Sequence, residues 1–201
     1  MTPEVIPVLL WAFGGCPLAL SGILVLCIDL LTELLPATSL AYETIESNIM
    51  QVPPRNLERD KLVTFQVAFY SYCQIGVIET GVCLLVWFQL FQHYGVSASD
   101  LFTNNQYFNM DGMGNVGSIT TSNGTVLTSE EQTFLLARTQ ASWYLMIVVG
   151  QAVHVFLART RTISIFQHGW FSNSYTNVAV FVAACLGVLS VYCPGIKIVS
   201  C

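Results

Sequence analysis

Charged side chains are scarce in this 201-residue chain, where Asp, Glu, Lys and Arg make up 9% of the residues. A typical soluble domain has roughly 25%. Basic residues are the scarcer kind, with seven Lys and Arg against twelve Asp and Glu. The low basic content excludes a cationic surface for nucleic acid. The low total charge argues against a water-soluble fold and favours a membrane protein, in which lipid replaces water as the solvent.

Apolar sequence is abundant, since hydrophobic residues make up 54% of the chain, and this excludes a disordered protein. The apolar runs cover about residues 4–14, 18–41, 63–94, 134–158 and 174–192. The first run would be only about 15 Å long as a helix, half a bilayer, and Gly14-Gly15-Cys16-Pro17 is expected to end it. The sequence therefore predicts an all-α integral membrane protein with about five membrane segments, in a single membrane domain over residues 1–201.

The seven cysteines do not show the paired spacing of a disulfide framework or a metal site. Five lie in uncharged, mostly apolar sequence and are interpreted as small buried apolar side chains: Cys16, Cys27, Cys73, Cys83 and Cys185. Cys193 and Cys201 flank a possible helix end and could pair with each other.

The basic residues predict the orientation in the membrane. Five of the seven Lys and Arg lie in the connecting segments 43–62 and 159–170, and the positive-inside rule assigns both segments to the cytosol. The polar loop 95–133 is then extracellular. The single N-glycosylation triplet, Asn123-Gly124-Thr125, falls in this loop.

Carboxylates within apolar runs are the sharpest functional signal, because a charge at the centre of a membrane helix costs several kcal/mol unless it is paired. Asp29 and Glu33 are four residues apart and share a helix face, and Glu4 lies in the preceding half-helix. Such carboxylates are either protonated or surround a hard cation such as sodium, potassium or calcium. Pro36 frees a backbone carbonyl near residue 32, and Thr32 could add a hydroxyl. The alternative is that Asp29 and Glu33 lie at the membrane edge and face water.

Other polar or aromatic residues within the apolar runs have plainer interpretations beside the functional ones. Glu79 is either a protonated packing residue or part of an ion path, and His154 is either a hydrogen-bonded core residue or a ligand. The sequence also predicts lipid-facing or interfacial positions for four aromatic residues: Trp87, Trp143, Tyr144 and Trp170.

Several motifs in order resemble the catalytic subunit of P-type ATPases, most closely the sodium/potassium and proton/potassium pumps. Three stretches resemble the sixth transmembrane helix and its exit: Cys27 to Ala37, Ser39 to Glu43 and Glu46 to Met50. The later matches are Pro54-Arg55-Asn56, Arg59 to Val63, Gln74-Ile75-Gly76, Thr160-Arg161, Ser164 to Gly169 and Tyr192 to Gly195. The resemblance implies a helix bundle running from late in the fifth to the ninth transmembrane helix of such a pump.

The resemblance also implies a set of cation-binding residues. Glu4 matches the carboxylate of the fifth helix, and Asp29 matches the first carboxylate of the sixth. Glu33 stands where the family usually has aspartate. Gln151 matches a glutamine of the eighth helix near the third sodium site, and Thr32 completes the predicted set. His154 stands where the sodium pump has an aspartate of that third site, so the resemblance does not imply a fixed stoichiometry.

No Asp-Lys-Thr-Gly-Thr phosphorylation signature occurs in the sequence. The resemblance therefore implies that ATP and magnesium would bind domains that this sequence does not contain, and that the chain alone is not an ATPase. It implies lipid, a transported cation and the remainder of the pump as partners, at the plasma membrane. A beta subunit stays open, because the outer loop lacks the family's Ser-Tyr-Gly-Gln-Gln-Trp segment.

Three functions follow from these observations. The first is the cation-binding membrane portion of an ion pump. The second is a catalytically inactive, truncated membrane protein that packs against a full-length pump and regulates it. The third is a small independent channel or carrier.

Overall fold

The computed structural model describes residues 2–43, 63–103, 118–160, 166, 169 and 171–192. Its elements in chain order are α1 (Thr2–Gly14), α2 (Gly22–Tyr42), α3 (Phe65–His93), α4 (Ala98–Thr103), β1 (Ile119–Thr120), β2 (Val126–Leu127), α5 (Ser129–Ala158) and α6 (Ser174–Tyr192). Four of these helices, α2, α3, α5 and α6, are long and apolar enough to cross a membrane. The 13-residue α1 is too short to do so. The predicted all-α membrane fold is confirmed, including its half-length first segment.

The helix ends follow local sequence rules. Helix α1 ends at Gly14, and Gly15 adopts a φ of 67°, which few other residues tolerate. Each of the four long helices begins after a side chain that accepts a hydrogen bond from a backbone N–H of its first turn. These N-cap residues are Ser21, Thr64, Thr128 and Asn173.

Two long helices that follow each other along the chain each contain a π-helical turn. In α2 the turn covers Ile28–Glu33, and in α3 it covers Tyr70–Ile75. A π turn widens the helix locally and is frequent at functional sites. The turn in α2 includes both of its predicted site carboxylates.

The helices pack around α5. Helix α3 runs along α5, α6 packs against both α2 and α5, and α1 packs against α3. Aromatic side chains fill the interface between α3 and α5, where the rings of Trp87 and Trp143 meet edge to face at 6.3 Å between centroids.

This packing corrects the prediction for the aromatic residues. Trp87 and Trp143 are each 1% exposed and Tyr144 is fully buried, so none of the three faces lipid. The Trp143 indole donates a hydrogen bond to the Pro3 carbonyl, and the Tyr144 hydroxyl is hydrogen-bonded to Ser190. The prediction was wrong because an aromatic ring can be as stable between helices as at the interface, and the polar atoms of Trp143 and Tyr144 have partners there. Trp87 Nε1 has no hydrogen-bond partner among the described residues, and its ring is held by edge-to-face packing on Trp143. Trp170 lies outside the described residues.

Buried hydroxyl groups are satisfied largely within their own helices. Thr32, Thr80 and Thr139 donate to backbone carbonyls three or four residues earlier, at 2.9, 2.6 and 2.8 Å. Ser190 makes the same bond to Gly187 at 2.7 Å. These contacts remove the cost of burying a polar group without enlarging the side chain.

The other sequence predictions have mixed outcomes. Cys16 and Cys83 are buried as predicted, and Cys27 is half-buried. Cys73 and Cys185 are exposed on the apolar outer surface, where a thiol is tolerated as well as in the core. The predicted extracellular loop 95–133 contains α4, the β1–β2 hairpin and the first residues of α5. Cys193, Cys201, the connection over residues 44–62 and most of 161–170 lie outside the described residues.

Candidate functional site

Three carboxylates from two helices converge in the structure. Glu4 of α1 and Asp29 and Glu33 of α2 each contribute an oxygen, and these oxygens lie within 4.8 Å of one another. Glu4 is 5% exposed, and the other two are half-buried. The structure therefore brings together the three residues that the sequence placed at the centre of the site.

The start of α1 is held in place by two contacts that position Glu4. Thr2 packs onto Gly76 of α3, and its hydroxyl donates to the Tyr72 carbonyl at 3.2 Å. The Trp143 indole of α5 donates to the Pro3 carbonyl at 3.1 Å. A Cβ at Gly76 would lie 2.3 Å from Thr2 Oγ1, so only glycine permits this approach. The hydropathy of the sequence does not indicate these contacts. An isolated glycine in an apolar run, here Gly76, is the one sequence signal of such a close approach.

The π turn of α2 sets the direction of the other two carboxylates. Asp29 and Glu33 both lie inside this turn, Ile28–Glu33. A π turn closes its hydrogen bonds between residues five apart, and Asp29 and Glu33, four apart, stay on one face across it. The sequence located the irregularity at Pro36, but the structure has it one turn earlier, and Pro36 is part of regular helix. Proline still leaves the Thr32 carbonyl without its usual donor four residues on.

A cavity of about 160 Å³ lies beside the carboxylates, between α2, α5 and α6. Its polar lining comes from Thr32, Glu33, Gln151 and His154, and the rest is mostly small or apolar. Thr32 donates its hydroxyl hydrogen to Ile28, which leaves its oxygen lone pairs for another partner. Glu33 belongs both to the carboxylate group and to the cavity lining, whereas Thr32 and Gln151 belong to the cavity only.

Three polar atoms around this cavity are buried and have no hydrogen-bond partner among the described residues. They are Glu33 Oε2, Gln151 Oε1 and His154 Nδ1. Buried polar atoms normally have partners, so such atoms indicate a place for water or an ion.

Glu79 of α3 packs against α5 beside the residue that precedes Gln151. Its Oε1 is buried, and it lies 2.5 Å from the position that a Cβ would take at Gly150 of α5. When ionised, it repels the carboxylates of Glu4 and Glu33. Both sequence interpretations of Glu79, packing residue and part of the ion path, stay open.

Comparison with known proteins adds to this geometry. The family described as Cation transporting ATPase, C-terminus, matches residues 17–201. The chain is 34% identical over 193 residues to a sodium/potassium-transporting ATPase subunit alpha-B of Artemia franciscana, covering 96% of this chain and 19% of that protein. It is 32% identical over 194 residues to a potassium-transporting ATPase alpha chain 1 of Xenopus laevis, covering 96% of this chain and 18% of the relative.

A human relative gives the same result. The sodium/potassium-transporting ATPase subunit alpha-3 of Homo sapiens is 33% identical over 196 residues, which cover 98% of this chain and 19% of that protein. The chain thus spans about a fifth of the length of the curated relatives it matches.

Proposed function

Because this chain belongs to the cation-transporting ATPase family, whose C-terminal membrane region it matches, we propose that it forms the cation-binding part of an ion pump's membrane domain. The transported ion in this proposal is monovalent: sodium, potassium or a proton. The observation that carries the proposal is the convergence of Glu4, Asp29 and Glu33 within 4.8 Å, on apolar helices of a multi-pass membrane protein.

Each predicted ligand has a distinct role in this proposal. Glu4, Asp29 and Glu33 supply charged oxygens that offset the loss of the cation's hydration shell. Thr32 and Gln151 supply neutral oxygens from the adjoining cavity. Glu33 connects the two groups, so its carboxylate can contact a cation in either place. Oxygen ligands of this kind suit hard monovalent cations, and the widened turn of α2 is a familiar way of presenting ligands at membrane depth.

The energy for transport would come from outside this sequence. The sequence holds no Asp-Lys-Thr-Gly-Thr motif, so we propose that ATP and magnesium act in domains of a larger pump with which the chain associates. We expect the purified 201-residue chain to form no acid-stable phosphoenzyme and to hydrolyse no ATP. A plasma-membrane location is part of the same proposal. A beta subunit as a further partner stays open.

The direct test is cation binding by the purified chain in lipid nanodiscs. Radioactive sodium and rubidium, the latter standing for potassium, are titrated against the wild-type chain and against Glu4→Gln, Asp29→Asn and Glu33→Gln. At 4 Å and an effective dielectric constant of about 20, one charge contributes about 4 kcal/mol. Because the new amide keeps an oxygen ligand, we expect each variant to weaken binding by tenfold or more.

Glu130→Gln is the matched control, since Glu130 is an exposed carboxylate in the first turn of α5. It should bind as the wild type does. Equal binding by Asp29→Asn, Glu33→Gln and the wild type would reject the cation site and favour the membrane-edge interpretation. A greater loss in Glu79→Gln than in either would move the ion path to α3.

The regulatory alternative is tested by building the segment into a full-length relative and measuring cation-dependent ATP hydrolysis. The cation-binding proposal predicts that the three carboxylate variants lower the apparent cation affinity of the chimera. A chain that only regulates a separate pump would leave that affinity unchanged.

A further inference from the structure

The tip of the β1–β2 hairpin carries the sequence Asn123-Gly124-Thr125 in an exposed turn. Ile119 pairs with Leu127 and Thr120 with Val126, so the turn covers residues 121–125. Gly124 has a φ of 78°, and nothing lies within 4 Å of the position that a Cβ would take there. The side chain of Asn123 is exposed. We propose that Asn123 is an N-linked glycosylation site, which goes beyond the proposed transport function and does not depend on it.

The hairpin is fixed to the rest of the outer region through Asp100 of α4. Its Oδ2 accepts bonds from the Ser122 backbone N–H at 3.2 Å and the Ser122 hydroxyl at 2.9 Å, and two more from Ser97. Burial alone would raise the pKa of Asp100, but these hydrogen bonds outweigh it and hold the pKa below its usual value. The turn therefore has a defined position instead of being part of a long unstructured loop.

A second contact places Asn123 beside the end of α3. Its Nδ2 donates to the Gly95 carbonyl at 3.2 Å. Gly95 has a φ of 80°, and a Cβ there would lie 2.9 Å from the Thr125 hydroxyl. An N-linked sugar replaces one of the two Nδ2 hydrogens, so the remaining hydrogen can still be donated to Gly95. This contact therefore does not require both hydrogens of the Asn123 amide.

The length of α5 keeps the hairpin away from the lipid. The helix has 30 residues, whereas about 20 residues cross the hydrocarbon core. The surplus of about ten residues lets the charged first turn, with Glu130 and Glu131, form an extension outside the core. Asn123 precedes this extension. The orientation predicted from the basic residues places it on the outer side, which is the lumenal side during synthesis.

The modification itself is a transfer from a lipid-linked oligosaccharide diphosphate. Asn123 Nδ2 forms a bond to the anomeric carbon of the first sugar, and the bond from that carbon to the diphosphate oxygen breaks. The lipid diphosphate leaves, and Nδ2 loses one proton. Thr125 supplies the hydroxyl that the acceptor triplet requires at its third position.

The test is expression of the full chain in cultured animal cells, followed by electrophoresis before and after treatment with peptide N-glycosidase. We expect one enzyme-sensitive shift in the wild type. The shift should be lost in Asn123→Gln and in Thr125→Ala and kept in Thr125→Ser. The matched control is Asn123→Gln combined with Glu58→Thr, which moves the triplet to residues 56–58 in the segment predicted to be cytosolic; this variant should show no shift.

Glycosylation needs insertion but not completed folding, so a destabilising substitution does not obscure the result. A wild-type chain that resists carbonate extraction from membranes yet shows no shift would overturn the proposal. So would a shift that persists in Asn123→Gln. A shift in the relocated control together with none in the wild type would show the opposite membrane orientation and would overturn the proposal. None of these outcomes bears on cation binding, which the nanodisc titration measures separately.

Discussion

Replacement of Arg159 by methionine should destabilise the fold more than any other loss of a basic residue in the described part of the chain. Arg159 follows α5, and its side chain is fully buried. The guanidinium forms a two-point contact with Glu43, with Nε–Oε2 at 3.0 Å and Nη2–Oε1 at 3.1 Å. It also donates to Ser172 Oγ at 2.7 Å. One side chain therefore connects the ends of α2 and α5 with the segment that precedes α6.

The size of the effect follows from what methionine leaves behind. Removing one partner of a buried ion pair costs about 3–5 kcal/mol, because the other charge stays in a poorly solvated place. Glu43 is 13% exposed and keeps a bond from Asn173 Nδ2 at 2.9 Å, so the lower end of that range applies. A loss of about 3 kcal/mol changes the unfolding equilibrium on the order of a hundredfold.

The assay is reversible unfolding of the purified chain in mixed micelles, followed by circular dichroism. Arg138→Met is the matched control, because Arg138 is exposed and contacts Phe134 and the Tyr94 hydroxyl. It should cost no more than about 1 kcal/mol. The double variant Glu43→Gln/Arg159→Met should be less destabilised than the sum of its single variants, since it leaves no buried charge. If Arg159→Met cost no more than Arg138→Met, the assignment of a buried, structurally important ion pair would be refuted.

Three further predictions concern other parts of the chain. Gly76→Ala should weaken cation binding by displacing Thr2 without removing a carboxylate, while Gly81→Ala, which meets nothing within 4 Å in the same helix, should leave binding unchanged. The fold lowers the pKa of Asp100, so the ionised Asp100 should stabilise the outer hairpin fully above pH 3.8. This stabilisation should be lost as the pH falls through the pKa that Asp100 has in the folded chain. Hydrogen exchange of the hairpin amides, compared between the wild type and Asp100→Asn, measures the effect. His154→Asp should add a binding site for a further sodium ion, measured as increased sodium bound per chain; unchanged stoichiometry would contradict it.

The sequence predicted the helices well because apolar length and helix-ending residues are local signals. Gly14-Gly15 ended α1 as expected, and the helical spacing of Asp29 and Glu33 placed them together. The π turn at Tyr70–Ile75 had no sequence signal, because it depends on how α3 accommodates its neighbours. Trp87 and Trp143 were misplaced for a different reason. In a bilayer both the interior and the exterior of the bundle are apolar, so hydrophobicity does not distinguish the two faces.

The buried hydroxyl groups have a consequence for how this sequence can vary over evolutionary time. Large apolar side chains on the outer surface, such as Ile78 and Phe181, are mostly exposed, and in a bilayer one apolar residue replaces another there at little cost. Thr80 and Ser190 each combine small volume with a hydroxyl satisfied by their own helix, and few residue types offer both. Among descendants of this chain, substitutions should therefore accumulate at the large apolar positions of the outer surface and be rare at the small polar ones inside. In a water-soluble protein the variable outer positions are instead polar and the constrained inner ones apolar.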